Sequence, residues 1–171
     1  MVDLNLKGAF PFKYSKGSLG GTFDVFHEGH RRLIRLAAEM CSELLIGVTS
    51  DEFSLRTKMH DVEPFERRLR NVASFVGLLG ASNRTKIVKI DDPFGPTVTD
   101  RELRALFVTA DTIENGFKIN DERRKAGLNP VEIIIVPRVM AESGGFISST
   151  RIRAGEIDPE GKAISPKASS T

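Results

Sequence analysis

Short apolar, largely β-branched runs recur along the chain at Leu44 to Val48, Ile87 to Ile90, Ala105 to Val108 and Val131 to Val136. Runs of this length without polar alternation read as strands buried on both faces, which an antiparallel sheet with one wet side does not need. Amphipathic helical patterns fill the gaps between them. Phe65, Leu69, Val72 and Val76 fall on one stripe, with Pro64 at the first helical position and Glu63 beside the positive end of the helix. Leu33, Ile34, Ala37 and Ala38 mark a second helix, and Asp111-Thr112 to Ala126 a third, with Gly127 as its C-terminal cap. Strands separated by helices must be joined by crossovers. The expected fold is therefore α/β, a Rossmann-like doubly wound parallel sheet whose ligands bind beyond the carboxyl ends of the strands. A length of 171 residues fits one such domain, and 40% hydrophobic with 28% charged residues supplies a core and excludes global disorder.

The stretch that fits this scheme worst is the first strand. Lys13 to Leu19 carries Ser15, Lys16, Gly17 and Ser18 where a central strand is expected to be apolar. Residues 1–12 read as an N-terminal extension and 13–157 as the domain. From Asp158 the chain turns to Pro, Lys and Ser without periodicity, so 158–171 is expected to be a flexible tail.

Charge and cysteine content narrow the function classes. A net charge of +2 is too near balance for a nucleic-acid coat or an anionic membrane surface, so neither nucleic acid nor membrane is expected as a partner. No apolar run approaches the ~18 residues of a membrane span, and the N-terminus lacks the basic-then-apolar shape of a signal peptide. A single cysteine, Cys41, points to a reducing, cytoplasmic setting, and three His with one Cys are too few for a zinc framework.

Chemistry concentrates in Gly20-Gly21-Thr22-Phe23-Asp24-Val25-Phe26-His27-Glu28-Gly29-His30, which runs straight into the Leu33 helix. Gly20 and Gly21 leave room for a ligand against the backbone, and Thr22 offers a hydroxyl. Gly29 and His30 sit where a helix N-terminus presents free N–H groups to an anion. His27 and His30, three apart, face one side and can donate hydrogen bonds to phosphoryl oxygens. Taken singly, each residue also suits a turn or a helix cap. A second string, Ile147-Ser148-Ser149-Thr150-Arg151-Ile152-Arg153, follows Gly144-Gly145. Its hydroxyls suit either a cap or the distal phosphates of a nucleotide. Arg151 and Arg153 are either solvated or paired with an anion, and Arg153 is placed with Ser148, Ser149 and Thr150 among the candidate phosphate contacts.

Together the two strings resemble the signatures of the HxGH nucleotidylyltransferases, a GxFDxxHxGH segment after strand one and an ISSTxIR segment near the end. Within that superfamily the chain is similar to the archaeal-type phosphopantetheine adenylyltransferases, from about Leu19 to about Gly161. Supporting segments include Gly47 to Asp51, Asn120 to Arg123, Gly127 to Ile133 and Arg151 to Asp158. The resemblance implies transfer of AMP from ATP to 4'-phosphopantetheine, giving dephospho-coenzyme A and pyrophosphate, with Mg²⁺ carried on the ATP phosphates and no covalent intermediate. It implies Thr22 on the acceptor phosphate, His30 on the α-phosphate and His27 alongside. Gly21 and Gly29 would shape the phosphate pocket, and Ser148, Ser149 and Thr150 would hold the outgoing pyrophosphate. Lys58, after the Ser50-Asp51 helix start, is the candidate cation between the reacting phosphates, against the plainer reading of an exposed loop lysine.

Other readings stay open at this level. Cytidylyltransferases and the nicotinamide mononucleotide adenylyltransferases share the machinery, and a non-catalytic nucleotide sensor would share the fold. A cytidylyltransferase Arg-Thr-Glu-Gly-Ile-Ser-Thr segment is absent; Glu142 to Phe146 stands there instead. The segment Thr109-Ala110-Asp111-Thr112 also departs from the Val-Ser-Glu-Glu-Thr type of archaeal relatives. The Asp91 to Pro96 loop either serves the metal or makes a turn. Phe53, Leu55, Met59, Phe65, Leu69 and Val72 are candidates for an acceptor channel, most of them better read as core.

Overall fold

The computed structural model describes residues 12–58 and 60–164. Parallel strands β1 (Tyr14–Gly21), β2 (Cys41–Thr49), β3 (Thr85–Ile90), β4 (Ala105–Val108) and β5 (Glu132–Ile135) form one sheet in the order β3-β2-β1-β4-β5. Helices α1 (Glu28–Met40), α2 (Asp51–Thr57), α3 (Phe65–Leu78), α4 (Ile113–Lys125) and α5 (Ser149–Arg153) connect or follow them. The doubly wound expectation is met. Leu33, Ile34 and Ala37 of α1 and Val72, Phe75 and Val76 of α3 pack with Leu44, Ile46, Val48 and Phe107 on one face. Ile119 of α4 packs with Leu106 and Val108 on the other. Neighbouring residues of β4 thus point to opposite faces, as the two-residue repeat of a strand requires.

The helix boundaries shift slightly from those read in the sequence. Pro64 is the N-cap of α3 rather than its first helical residue. Helix α4 begins after Thr112, and Gly127 follows the cap residue Ala126 with φ +70°, the left-handed position that stops a helix. Strands β3 and β5 lie at the sheet edges, so Lys89, Glu132 and Ile135 are exposed where burial on both faces was expected.

The polar first strand turns out to be the central one, and its composition has a structural reason. On the α1 face, Gly17 lets Cys41 and Phe107 close in: a Cβ there would lie 2.4 Å from the Cys41 Sγ. On the other face α4 packs over β4 and β5, and among the described residues a cavity of about 300 Å³ lies above β1, β2 and β3. Ser18, Gly20 and Gly47 form its low floor, and a Cβ at Gly20 would meet nothing nearer than 3.6 Å. Larger apolar residues in β1 would fill this space. The Asp91 to Pro96 loop roofs it as a turn, with the Asp92 carboxylate accepting from the amides of Phe94 and Gly95 at 2.8 and 2.7 Å.

The chain does not leave the body at residue 158. The amide of Glu28 donates to the Pro159 carbonyl, that of Glu142 to Gly161, and Ile157 bridges to Ala163, so residues 158–164 are tied to α1 and to the 141–147 segment. The flexible tail expected from 158 therefore does not hold for these seven positions. Residues 165–171, like residues 1–11 of the expected extension, lie outside the described residues. Among the described residues no helix is long and apolar enough to cross a membrane.

Candidate active site

The loop between β1 and α1 is held in a conformation that its sequence alone would not choose. Phe23 and Val25 adopt φ values of 54° and 46°, in the left-handed region that is costly for any side chain and most so for a β-branched one. Its neighbours impose it. The Val25 amide donates to the Glu63 carboxylate at 3.0 Å, and the Glu63 amide returns a bond to Asp24 Oδ1 at 2.9 Å. Ser149 Oγ donates to the Asp24 carbonyl at 2.7 Å. The Asp24 carboxylate, 5% exposed, receives a forked contact from Arg153 Nε and Nη2 at 2.8 to 3.0 Å. Beneath the loop, wholly buried Arg68 donates to the carbonyls of Thr22, Thr49 and Glu63 and to Asp51.

Helix α1 then starts at His27, which is its N-cap. His27 Nδ1 accepts from the Gly29 amide at 3.1 Å, and His30 Nδ1 accepts from the His27 amide at 3.3 Å, a reciprocal capping box built from imidazoles. The capping and phosphate-binding readings of these residues are thus compatible. An Nδ1 that accepts leaves the proton on Nε2, so each ring presents an Nε2–H donor. The rings stack at 3.8 Å, and Phe26 stacks on His30 at 5.7 Å. Gly29 permits this packing, since a Cβ there would lie 2.9 Å from the His27 ring.

Burial pushes His27 down to about 4, with the Arg31 charge adding to it. Burial also holds His30 well below the ordinary histidine value, helped by His27, Arg31 and Lys58. Both rings are therefore neutral donors at pH 7. The unfolded chain takes up protons near pH 6.5, which the folded chain refuses until much lower pH. Their stabilisation is thus complete above about 6.5 and is lost as pH falls toward 4, by about 1.4 kcal/mol per pH unit for each ring. Urea midpoints at pH 7.5 and 5.0 are expected to fall accordingly, and less steeply in His27→Asn. Equal slopes in the two proteins would contradict this.

His27, His30, Thr22, Lys58, Ser148, Ser149 and Thr150, with Gly21 and Gly29, line one cleft of about 530 Å³. Ser148 caps α5 by accepting from the Arg151 amide, while the Ser149 hydroxyl is tied to Asp24. Arg153 does not line the cleft: its guanidinium grips Asp24 and reaches the site through that carboxylate. Lys58 is exposed at the end of α2, which Ser50 caps as expected. Gly20, Gly21, Thr22, Lys58, Asp111 and Thr112 line both this cleft and the smaller cavity over the sheet, so the two spaces meet there.

The cavity walls are Leu45, Val88, Ile90, Phe94 and Leu106. The channel candidates read from the sequence are elsewhere: Phe65 and Val72 belong to the core, Leu55 is 68% exposed, and Met59 lies outside the described residues. Sequence reasoning also missed Arg68 and the bracing roles of Asp24 and Glu63. Asp24 stood inside the motif, but nothing there linked it to Arg153, 129 residues away.

This arrangement has counterparts in known proteins. The cytidylyltransferase-like family model matches residues 18–155. The chain belongs to the cytidylyltransferase-like family. Among its relatives, the phosphopantetheine adenylyltransferase of Methanothermobacter thermautotrophicus is 43% identical over 152 residues, covering 89% of this chain and 91% of that protein. The phosphopantetheine adenylyltransferase of Methanopyrus kandleri is 42% identical over 146 residues, covering 85% and 92%. A solved structure of a protein with unknown function from Archaeoglobus fulgidus aligns with a TM-score of 0.64 at 34% identity, over 78% of this chain and 99% of that one. The family resemblance carried by the two strings is borne out, and with it the parallel sheet.

Proposed function

We propose that this chain transfers AMP from ATP to 4'-phosphopantetheine, releasing pyrophosphate and forming dephospho-coenzyme A. The observation that carries the reading is the junction of two unlike spaces. A polar cleft lined by His27, His30 and Ser148 to Thr150 suits a nucleotide and its phosphates. A cavity of about 300 Å³ with apolar walls and the amide of Asn115 suits a mostly uncharged acceptor. Thr22 and Lys58 lie where they meet, as a reaction joining two phosphates requires. The names of the adenylyltransferase relatives supply the substrate pair.

In this scheme an oxygen of the acceptor phosphate attacks the α-phosphorus. The bond from that phosphorus to the oxygen bridging to the β-phosphate breaks, and pyrophosphate leaves with the electron pair. The protein's contribution is positioning and charge stabilisation. Thr22 Oγ1 and the Lys58 ammonium hold the acceptor phosphate, and the neutral His30 Nε2–H meets the charge developing on the α-phosphate. His27 and the α5 start hold the nucleotide phosphates. Mg²⁺ enters on ATP as part of the substrate. Arg153 serves by fixing Asp24 and so the loop that carries Thr22. The buried lone thiol of Cys41 supports a cytoplasmic setting.

Pyrophosphate release tests the reading. ATP with 4'-phosphopantetheine is expected to turn over, while CTP, and ATP with glycerol phosphate or nicotinamide mononucleotide, are not. Equal or faster turnover of those acceptors would overturn the assignment. Lys58→Ala is expected to lower kcat/KM for 4'-phosphopantetheine about a hundredfold, with ATP affinity within about threefold of the parent. A parent-like kcat/KM would return Lys58 to the role of a loop lysine.

A further inference from the structure

Among the described residues around the cleft, Arg31, Arg68, Arg151 and Arg153 each make at least two polar contacts, and Arg138 makes one. Arg68 and Arg153 are engaged as described above. Arg151 donates to Glu156 at 2.8 Å, to the carbonyls of Gly144 and Phe146 and to Ser143 Oγ, while Arg31 sits between Glu28 and Glu160. Among the described residues the polar contact of Arg138 is Nη1 to Asp111 Oδ1 at 3.3 Å, and the Asp111 side chain is 64% exposed. The guanidinium lies over the Phe146 ring at 4.3 Å, and the Phe146 turn is itself pinned by Arg151. The ring contact buttresses the guanidinium, whose side chain stays 32% exposed.

The location of the guanidinium gives it something to meet. Asp111 follows β4 and Arg138 follows β5, so both stand beyond the carboxyl ends of adjacent strands, where ligands bind in such sheets. Besides the two neutral imidazoles, His60 and Lys58, Arg138 is the remaining basic side chain among the described residues lining the nucleotide cleft. Lys58 sits at the junction and faces the acceptor. A triphosphate therefore enters a cleft in which Arg138, held by the exposed Asp111 alone, is the cation most readily exchanged onto it.

We infer that Arg138 is a further nucleotide-binding residue, parked on Asp111 in the free protein and exchanged onto the phosphates when ATP enters. The inference rests on the proposed function for its ligand. The exchange is favourable because an exposed ion pair contributes little, while a guanidinium on phosphate makes shorter, forked, charge-assisted bonds. Asp111 returns to water, where it is already mostly exposed.

Calorimetry without acceptor reads this directly, using the α,β-methylene analogue of ATP, which cannot release pyrophosphate. Arg138→Met, which retains length and apolar contact with Phe146, is expected to raise the dissociation constant about tenfold with little change in Tm. Asp111→Asn frees the guanidinium and is expected to leave the constant at or below the parent's value. A merely structural pair would make both variants bind worse to the same degree. Unchanged binding in Arg138→Met, or equal weakening in Asp111→Asn, would overturn the inference. Either result leaves the acceptor assignment standing, because that is decided by turnover in the parent; a parent that binds the analogue but ignores 4'-phosphopantetheine fails the function and not this site.

Discussion

His30→Asn is expected to lower kcat about a hundredfold while the protein keeps its melting temperature. The Asn Oδ1 takes the place of Nδ1 and still accepts the His27 amide, so the capping box survives. What disappears is the Nε2–H of a ring that lines the cleft, and removing one donor to developing charge costs about 3 kcal/mol of transition-state stabilisation. His30→Ala loses both functions, so it is expected to match the Asn variant in rate and to melt a few degrees lower, since a lost cap costs about 1 kcal/mol. His30→Gln, whose side-chain amide reaches toward the Nε2 position, is expected to recover part of the rate. Steady-state kinetics with melting curves on the three proteins separates the roles. Near-parent turnover in the Asn variant would remove His30 from the chemistry and leave it as a cap.

Arg68→Met is expected to give the largest loss of stability in the molecule, about 3 to 5 kcal/mol, read as a fall in Tm of about 10 °C for a chain of this size. Arg68 is fully buried, and its Nε and Nη1 satisfy the Glu63, Thr22 and Thr49 carbonyls at 2.7, 2.8 and 2.8 Å. Methionine fills the volume but donates nothing, leaving three carbonyls and Asp51 without their partner. Because Thr22 and the strained Phe23 and Val25 backbone rest on this guanidinium, kcat is expected to fall along with stability. Arg68→Lys keeps the charge but cannot span the same acceptors, and is expected to lie between the two. A Tm within two degrees of the parent in Arg68→Met would show that the loop holds its shape without Arg68.

The sequence by itself determined the winding. The apolar runs from Leu44 to Val136, the Phe65 to Val76 stripe and the Ser50 cap are local patterns with fixed periods, and the sheet and helices form at those places. It also singled out the loop and the helix start that line one cleft, because Gly21, Thr22, His27, Gly29 and His30 are close in sequence and Ser148 to Thr150 are contiguous. Tertiary structure decided the rest. Only folding shows that the polar β1 is central, with Ser18 and Gly20 as the floor of a cavity over the sheet. Only folding makes 158–164 a tie between α1 and the 141–147 segment. In the sequence Arg153 reads as a phosphate contact, Arg68 and Arg138 do not stand out, and the partners of all three are illegible. Their partners are backbone carbonyls, or carboxylates 17 to 129 positions away. A carbonyl is the same at every residue, so an arginine that binds several of them leaves no periodicity or spacing to read.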